Sequence, residues 1–468
     1  MRSLSSIKNR YIGTKAFYLA VIALIIPMVV QQGITQFVNL LDNVMVGRLG
    51  TQPMSGVAIV NQIIFIFNLT IFGGMSGASI FGAQYYGKKD YDGLRYTLRF
   101  RMYFALAAGV LGMLVLLLFG KGFYMLFLTD QASSPEDIAA TLSYAESYAG
   151  IMLWGLLPFA ISNCYASVLK DTGETFVPMV ASVISIGVNL VLNYFLIFGA
   201  FGFPKMGVAG AALATVIARY LEMGYLIYQS IRQKKKFVFF QGAFRSLKVP
   251  LPLVKRITIT GTPLMLNESL WSVGVSLIQA CYASRGLAAV AAANINGTAF
   301  NLFSLVMMSM GNAVAILVGQ QLGANDIPEA KATVRKLIVF AVGLNLVMGG
   351  LLVAASPLIP LIYNTEPAVR QLATQMLVIS GVFLPFSSYV NCAYFTIRSG
   401  GRTFITFLFD CVYTWVVCLP AALFLCHYTT WPLPWIIVAV QVLDNVVKGV
   451  IAGGMLKSGL WAKNVVNS

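Results

Sequence analysis

Long blocks of apolar residues recur from one end of this sequence to the other, and they constrain the fold more than any other feature. Twelve blocks each reach the length of about 20 residues that an α-helix needs to cross a bilayer. Of the 468 residues, 58% are hydrophobic and only 10% are charged, so a soluble chain of this composition could not cover its surface with polar groups. The sequence therefore predicts an all-α membrane protein with twelve transmembrane helices. The predicted spans are 16–46, 54–82, 95–119, 141–169, 176–199, 207–231, 257–283, 290–318, 333–356, 369–397, 403–426 and 433–456.

The basic residues predict how these spans are oriented. If both termini are cytoplasmic and the spans alternate, most of the 32 Lys and Arg residues lie in or beside cytoplasmic loops, as is usual in membrane proteins. The external loops then hold only Arg48, Lys121, Lys205, Arg285 and Arg370. This bias accounts for the formal net charge of +16 without nucleic acid as a partner. We expect a multi-pass protein of the plasma membrane with both termini in the cytoplasm.

The sequence repeats itself in two halves. Pro27 and Pro263 are separated by the same number of residues as Gln84 and Gln320. The same spacing separates the pairs Gly50–Gly286, Gly87–Gly323 and Asp90–Asp326. Six spans in each half is an even number, so both halves begin on the same side of the membrane. We therefore predict two pseudo-symmetric six-helix bundles related as a parallel repeat, with a bend at each proline.

The repeat also predicts the domain boundaries. The N-terminal lobe covers residues 1–232 and the C-terminal lobe covers residues 257–468, with a basic cytoplasmic linker at residues 233–256. We interpret the linker as a solvated loop near anionic lipid headgroups.

A carboxylate and two carboxamides are predicted to meet in the outer half of the N-terminal lobe. Asp42 and Asn193 lie five or six residues from the outer ends of the first and fifth spans, so each is ~8–9 Å deep. Asn189 lies one turn below Asn193 on the same helix face. Such a group can bind Na⁺ or hold a proton. The alternative is that Asp42 is simply hydrogen-bonded within the packed lobe.

A second carboxylate, Glu268, is predicted near mid-bilayer, ~18 Å above the inner end of the seventh span. The repeat places Gln32 at the equivalent position of the first half, so Glu268 breaks the pseudo-symmetry. Neither Asp42 nor Glu268 has a basic residue one turn away on its own helix, and we expect both to be unpaired. Glu268 can then carry a proton or meet a cationic substrate; the alternative is a permanently neutral buried side chain.

The other acidic residues of the spans are interpreted mainly as structural. Two intrahelical ion pairs are predicted, Asp444–Lys448 and Arg219–Glu222. Asp410 lies close in sequence to Arg398 and Arg402 and is expected to have a structural role there, with ion coupling as the alternative.

Several classes of site are excluded by the sequence. The six cysteines lie in or beside apolar blocks without a CxxC pair, and we interpret them as small hydrophobic core residues. The phosphate-binding pattern GxxxxGK[ST] is absent. Glycines 82, 87, 319 and 323 are interpreted as turns in loops that follow the second and eighth spans. We expect no enzyme activity and no cofactor. The parallel repeat points towards a transporter, and because no ATP-binding pattern is present, uphill transport would depend on an H⁺ or Na⁺ gradient.

Five segments of the chain carry a resemblance to a known family. They are DNVMVGRLG at 42–50, QYYGKKD at 84–90, GVAGAALAT at 207–215, VGQQLG at 318–323 and SGLW at 458–461. In their order and spacing, the whole chain resembles the multidrug and toxic compound extrusion (MATE) transporters, in their bacterial NorM/DinF-like branch.

The resemblance implies a monomer with twelve helices in two lobes, which exports cationic, amphipathic compounds in exchange for Na⁺ or H⁺. Asp42 and Glu268 match the first-helix Asp and the seventh-helix Glu of the family. Asn189 matches the Asn of a fifth-helix pair found in some members, but Asn193 stands where those members have Asp, so a Na⁺ site at Asp42, Asn189 and Asn193 loses one charge. The further candidate residues are Gln32, Thr215 and Asp410.

Two other functions remain open from the sequence. One is a flippase for a lipid-linked oligosaccharide from the same superfamily, although few basic residues lie in mid-span. The other is a membrane scaffold or receptor, in which two buried carboxylates would have no purpose.

Overall fold

A computed structural model describes residues 11–128 and 134–467 of the chain. Every regular element in those ranges is helical. The helices are α1 Lys15–Gly47, α2 Thr51–Gly87, α3 Tyr91–Leu128, α4 Pro135–Asp171, α5 Phe176–Phe198, α6 Val208–Arg232, α7 Leu251–Ala283, α8 Leu287–Phe303, α9 Leu305–Gly323, α10 Ile327–Ala355, α11 Pro367–Ser399, α12 Thr403–Tyr428 and α13 Leu433–Ser458. The first ten residues and the last residue, on which the outer limits of the two predicted lobes fall, lie outside the described ranges.

Eleven helices of the described part of the chain are long and apolar enough to cross a membrane. Two helices are outside this group. Helix α7 is long enough but not apolar enough, and α8 is apolar but too short. The eighth predicted span, 290–318, is divided at Ser304 into α8 and α9. The division is slight, because Ser304 keeps helical backbone angles and its N–H still donates to the Phe300 carbonyl at 2.9 Å.

The chain forms two compact units whose boundaries do not follow the predicted lobes at every point. Unit 1 consists of the described residues of Met1–Val29, Ala83–Asp90 and Ile257–Ser468. Unit 2 consists of Val30–Gly82 and the described residues of Tyr91–Arg256. The boundary in α1 falls just after Pro27. Both α1 and α7 continue as helices through their prolines.

In unit 2, α4 packs along α3 and α6, and α5 packs against α6. The core of this unit contains aliphatic and small side chains of α2, α4 and α6. The small side chains let these helices approach one another closely. Its buried members include Val60, Ile64, Ala149, Met152, Ala211 and Ala212.

In unit 1, α11 contacts α8, α9, α10 and α13 and is the central helix of the packing. The first half of α1 belongs to the same core, where Leu24 and Met28 cluster with Met310 and Val314 of α9. All six cysteines of the chain are buried and free, which confirms their interpretation as core residues.

The glycines predicted to form loops belong to helices instead, Gly82 and Gly319 within them and Gly87 and Gly323 as their last residues, and these last two make a close helix crossing in unit 1. A Cβ on Gly87 would lie 2.5 Å from the carbonyl carbon of Gln320. A Cβ on Gly323 would lie 2.5 Å from the carbonyl carbon of Gln84. The ends of α2 and α9 therefore meet through two reciprocal glycine contacts, and the loop interpretation was wrong because close backbone approach is what these glycines permit.

The C-terminal tail, residues 459–467, is fixed to this crossing. The Gln84 side chain is fully buried, and its Nε2 donates to the carbonyls of Ser399 at 2.9 Å and Lys463 at 3.2 Å. Its Oε1 accepts from the Val465 N–H at 2.7 Å. Asn464 adds a bond from Nδ2 to the Gly323 carbonyl at 3.3 Å. The Gln84 side chain at the end of α2 and the Gly323 carbonyl at the end of α9 thus hold the tail in unit 1.

The basic linker is docked against α3 and is not only a solvated loop. Arg95 donates to the carbonyls of residues 238 and 239, Arg99 donates to those of 243 and 248, and the Tyr103 hydroxyl donates to that of 247. These three residues are spaced four apart and share one helix face. Phe237 and Phe239 are also buried. The sequence prediction missed this because main-chain carbonyl acceptors leave no pattern in the sequence.

Candidate functional site

The structure brings together the three residues predicted to meet in the outer half of the N-terminal lobe, all in unit 2. Asn193 of α5 donates through Nδ2 to Asp42 Oδ1 of α1 at 2.7 Å. The same Nδ2 lies 3.2 Å from Asn189 Oδ1, one turn away. Both asparagines are buried and Asp42 is partly buried. Equal depth on neighbouring helices, which the helical rise predicts, is what allows this contact.

Thr215 of α6 extends this cluster. Its hydroxyl lies 3.2 Å from the Asn189 amide and donates to the Ala211 carbonyl at 3.0 Å. With its nitrogen and oxygen exchanged, the Asn189 amide would donate to Asp42 Oδ2 at 3.2 Å. Asn193 Oδ1 is buried and has no hydrogen-bond donor in the described part of the chain. The cluster therefore offers a carboxylate and an unused oxygen acceptor, which is chemistry for a proton or a small cation.

Among the described residues, Gln32 is part neither of this cluster nor of the polar network around Glu268 in unit 1. It is partly buried, and it is the neighbouring Gln31 whose Nε2 donates to Ser182 Oγ at 2.6 Å. Ser182 in turn donates to Glu222 Oε1 at 2.6 Å. The repeat thus gives Gln32 as the residue equivalent to Glu268, but the two side chains do not have similar surroundings.

Glu268 is not the unpaired carboxylate that the sequence predicted. Arg398 of α11 lies 3.8 Å from Glu268 Oε1, and the Tyr394 hydroxyl donates to the same oxygen at 3.3 Å. The prediction considered only residues one turn away on α7, whereas these partners belong to another helix. Tyr394 and Arg398 are four residues apart on α11, which places both on one face of that helix.

Asp410 has different partners from those expected from its position near Arg398 and Arg402. Lys448 of α13 donates to Asp410 Oδ1 at 2.7 Å, and Asn267 donates to Asp410 Oδ2 at 3.1 Å. Lys448 also donates to Asp444 Oδ1 at 3.2 Å, which confirms the predicted Asp444–Lys448 pair.

One polar network in unit 1 therefore joins both predicted carboxylates of this half. Asn267 Nδ2 contacts the Tyr394 hydroxyl at 3.2 Å as well as Asp410, and so links Glu268 and Arg398 to Lys448. Three carboxylates and two basic groups share this network. Asn267, Tyr394, Arg398 and Lys448 were not among the predicted site residues, because contacts between helices far apart in sequence are not visible in local spacing.

The second predicted intrahelical pair, Arg219–Glu222, makes no direct ion-pair contact in the described part of the chain, although the two charges still attract each other at longer range. In the described structure, Glu222 accepts from Ser182, while Arg219 donates to the Gly155 carbonyl at 3.1 Å and lies 4.8 Å from the Phe159 ring centroid. Tertiary partners replace the i,i+3 contact, whose energy is only about 0.2–0.5 kcal/mol in an isolated helix.

Comparison with known proteins identifies a family. The sequence model of the MatE family matches residues 27–195 and 263–423. The two matched stretches begin at Pro27 and Pro263, the prolines that the internal repeat pairs. Together they cover more than half of the chain.

Curated relatives and a solved structure agree with this match. The chain is 26% identical over 411 residues to the "Probable multidrug resistance protein YoeA" of Bacillus subtilis, with 86% of each chain covered. It is 23% identical over 457 residues to the "Probable multidrug resistance protein NorM" of Thermotoga maritima, with 95% of this chain and 93% of the relative covered. Its fold is similar to that of a variant of the Vibrio cholerae MATE transporter VcmN, with a TM-score of 0.84 and 18% identity over 96% of this chain and 98% of that one. The chain is a member of the MatE family.

Proposed function

We propose that this protein is an antiporter that exports small, cationic, amphipathic organic compounds and is driven by the inward movement of H⁺ or Na⁺. The observation that carries the proposal is the Asp42 carboxylate, which lies within an apolar helix long enough to cross a membrane and accepts a hydrogen bond from Asn193. A carboxylate within a membrane span is costly, by at least about 2.5–3.5 kcal/mol at the bilayer centre and by less at the shallower depth of Asp42, so acidic residues in spans are usually functional. The relatives named as probable multidrug resistance proteins support small organic compounds as substrates.

In the proposed mechanism, ion binding at Asp42 biases the protein between outward- and inward-facing states. A proton on the carboxyl group removes the charge of Asp42 and adds a donor, so the hydrogen bond from Asn193 loses its charge assistance and is weakened. Na⁺ would instead be bound by the side-chain oxygens of Asp42, Asn189 and Asn193. Either ion shifts the equilibrium only by its difference in affinity for the two states.

Glu268 is proposed as the corresponding group of unit 1. A proton on Glu268 would weaken its attraction to Arg398, which then becomes available to the rest of the network. Asp410 contributes to the same network through Asn267. The proposal includes a monomer in the plasma membrane, with both termini cytoplasmic and the two lobes of residues 1–232 and 257–468 acting as alternating-access halves.

The proposal is tested with Asp42→Asn, which keeps the size of the side chain and removes its charge. We expect gradient-driven efflux to fall at least tenfold. Asp92→Asn is the control, because Asp92 is a carboxylate with 76% of its side chain exposed and an ion pair with Arg95. Normal coupled efflux in Asp42→Asn would contradict the assignment. Stabilisation of the purified protein by a lipid-linked sugar and not by organic cations would favour the flippase instead.

A further inference from the structure

Lys448 places an ammonium group inside a cage of carboxylates and aromatic rings in unit 1. Its Nζ lies 2.7 Å from Asp410 Oδ1 and 3.2 Å from Asp444 Oδ1. The same atom lies 5.5 Å from the ring centroid of Phe409 and 5.8 Å from that of Tyr413. Only 3% of the lysine side chain is exposed. Carboxylates combined with aromatic faces are the groups by which proteins recognise organic ammonium ions.

Asn267 borders this cage and has an unused acceptor. Its Nδ2 donates to Asp410 Oδ2 and to the Tyr394 hydroxyl. Asn267 as a whole residue is 1% exposed, and in the described part of the chain its Oδ1 receives no hydrogen bond. A buried acceptor without a donor is unfavourable, so the residue that holds Asp410 keeps an unused acceptor.

The cage has more negative than positive charge, and one of its two carboxylates is partly exposed. Asp410 and Asp444 bring two carboxylates, and Lys448 is the one ammonium between them. The Asp444 side chain is 42% exposed, whereas that of Asp410 is 18% exposed. A second cation can therefore reach Asp444 while Lys448 stays bound to Asp410.

The helices are locally widened at both carboxylates. Asp410 lies in the π-helical segment Leu408–Val412 of α12, and Asp444 lies in the π-helical segment Val442–Val447 of α13. Such segments are rare and occur frequently at functional sites.

We propose that Lys448 is a tethered occupant of an organic-ammonium site formed by Asp410, Asp444, Phe409 and Tyr413. A cationic substrate competes with the lysine ammonium group for Asp444. This inference rests on the proposed export of organic cations for its biological meaning, but it can be tested by binding alone, without any ion gradient. A failure of efflux would therefore count against antiport, and a failure of amine binding would count against this site.

The test removes the tethered ammonium group and supplies a free one. Lys448→Ala creates room for n-butylammonium, and thermal unfolding of the purified full-length protein is measured with and without this amine. Without amine we expect the variant to unfold several degrees below the wild type. With saturating amine it should regain most of that loss, because a ligand that binds the folded state stabilises it. The wild type, whose cage is filled, should shift little.

The matched control is Lys336→Ala. Lys336 also lies near a carboxylate, at 3.7 Å from Glu329, and its Nζ lies 5.7 Å from the ring centroid of Phe17. It faces one carboxylate and not two, so its removal should create no amine response. Neutral n-butanol serves as a second control, because it fills the space without the charge.

The inference is overturned if n-butylammonium does not stabilise Lys448→Ala, or if it stabilises Lys336→Ala equally. An equal response to n-butanol would show simple cavity filling and would also overturn it. If Lys448→Ala does not fold, Lys448→Met keeps the apolar stem and loses only the charge. Ethidium should then bind this variant about tenfold more tightly than the wild type, and equal affinity would contradict the site.

Discussion

The reciprocal crossing of α2 and α9 allows a quantitative prediction for Gly87→Ala and Gly323→Ala. Each new Cβ would lie 2.5 Å from a backbone carbonyl carbon of the other helix, and the carbonyl oxygen would be closer still. Carbon atoms pack at about 3.5 Å or more, so the two backbones must separate by at least about 1 Å. Because the obstacle is backbone and not the end of a flexible side chain, we expect each variant to lose about 3 kcal/mol, the upper end of the usual cost of overpacking.

The stability losses of the two single variants should not be additive. One separation of the helices relieves both, so the double variant Gly87→Ala/Gly323→Ala should cost clearly less than the sum of the single variants. Thermal unfolding of purified protein measures these losses. Gly343→Ala is the control, because a Cβ there meets no atom within 4 Å and alanine is the better helix former. Equal stability of Gly87→Ala and Gly343→Ala, or full additivity of the pair, would refute the reasoning.

Three other substitutions test further contacts. Gln84→Leu removes the amide that holds the C-terminal tail, and the tail should become sensitive to carboxypeptidase digestion. Arg101→Leu removes the guanidinium that neutralises the buried Asp171 carboxylate, which should cost about 3–5 kcal/mol in thermal unfolding. Replacing both members of this pair with leucine should recover most of that loss. Asn193→Asp adds a carboxylate beside Asp42 and should lower the Na⁺ concentration at which Na⁺ stabilises the protein against heat.

The features that were best predicted from the sequence depend on the length of apolar blocks, on helical geometry and on the spacing of the internal repeat. Apolar block length identified most of the helices, and the helical rise placed Asp42 and Asn193 at similar depths, where the structure finds them in contact. The repeat correctly paired Gly87 with Gly323. It could not show that these glycines meet, because a repeat establishes equivalence and not proximity.

What the sequence could not predict depends on contacts between distant segments. Glu268 was expected to be unpaired because only its own helix was searched, whereas Arg398 approaches it from α11. Lys448 looked fully accounted for by Asp444, one turn away, although its shorter contact is with Asp410 on α12. The number of charges in the spans was visible in the sequence, but their partners required the fold.

The most direct test of the account is ethidium efflux from liposomes that contain the purified protein, under an imposed H⁺ gradient and separately under a Na⁺ gradient. The account predicts efflux driven by one of these gradients, a loss of at least tenfold in Asp42→Asn and impaired coupling in Glu268→Gln. Efflux that is equally fast with both gradients absent, or unchanged coupling in Asp42→Asn, would contradict it.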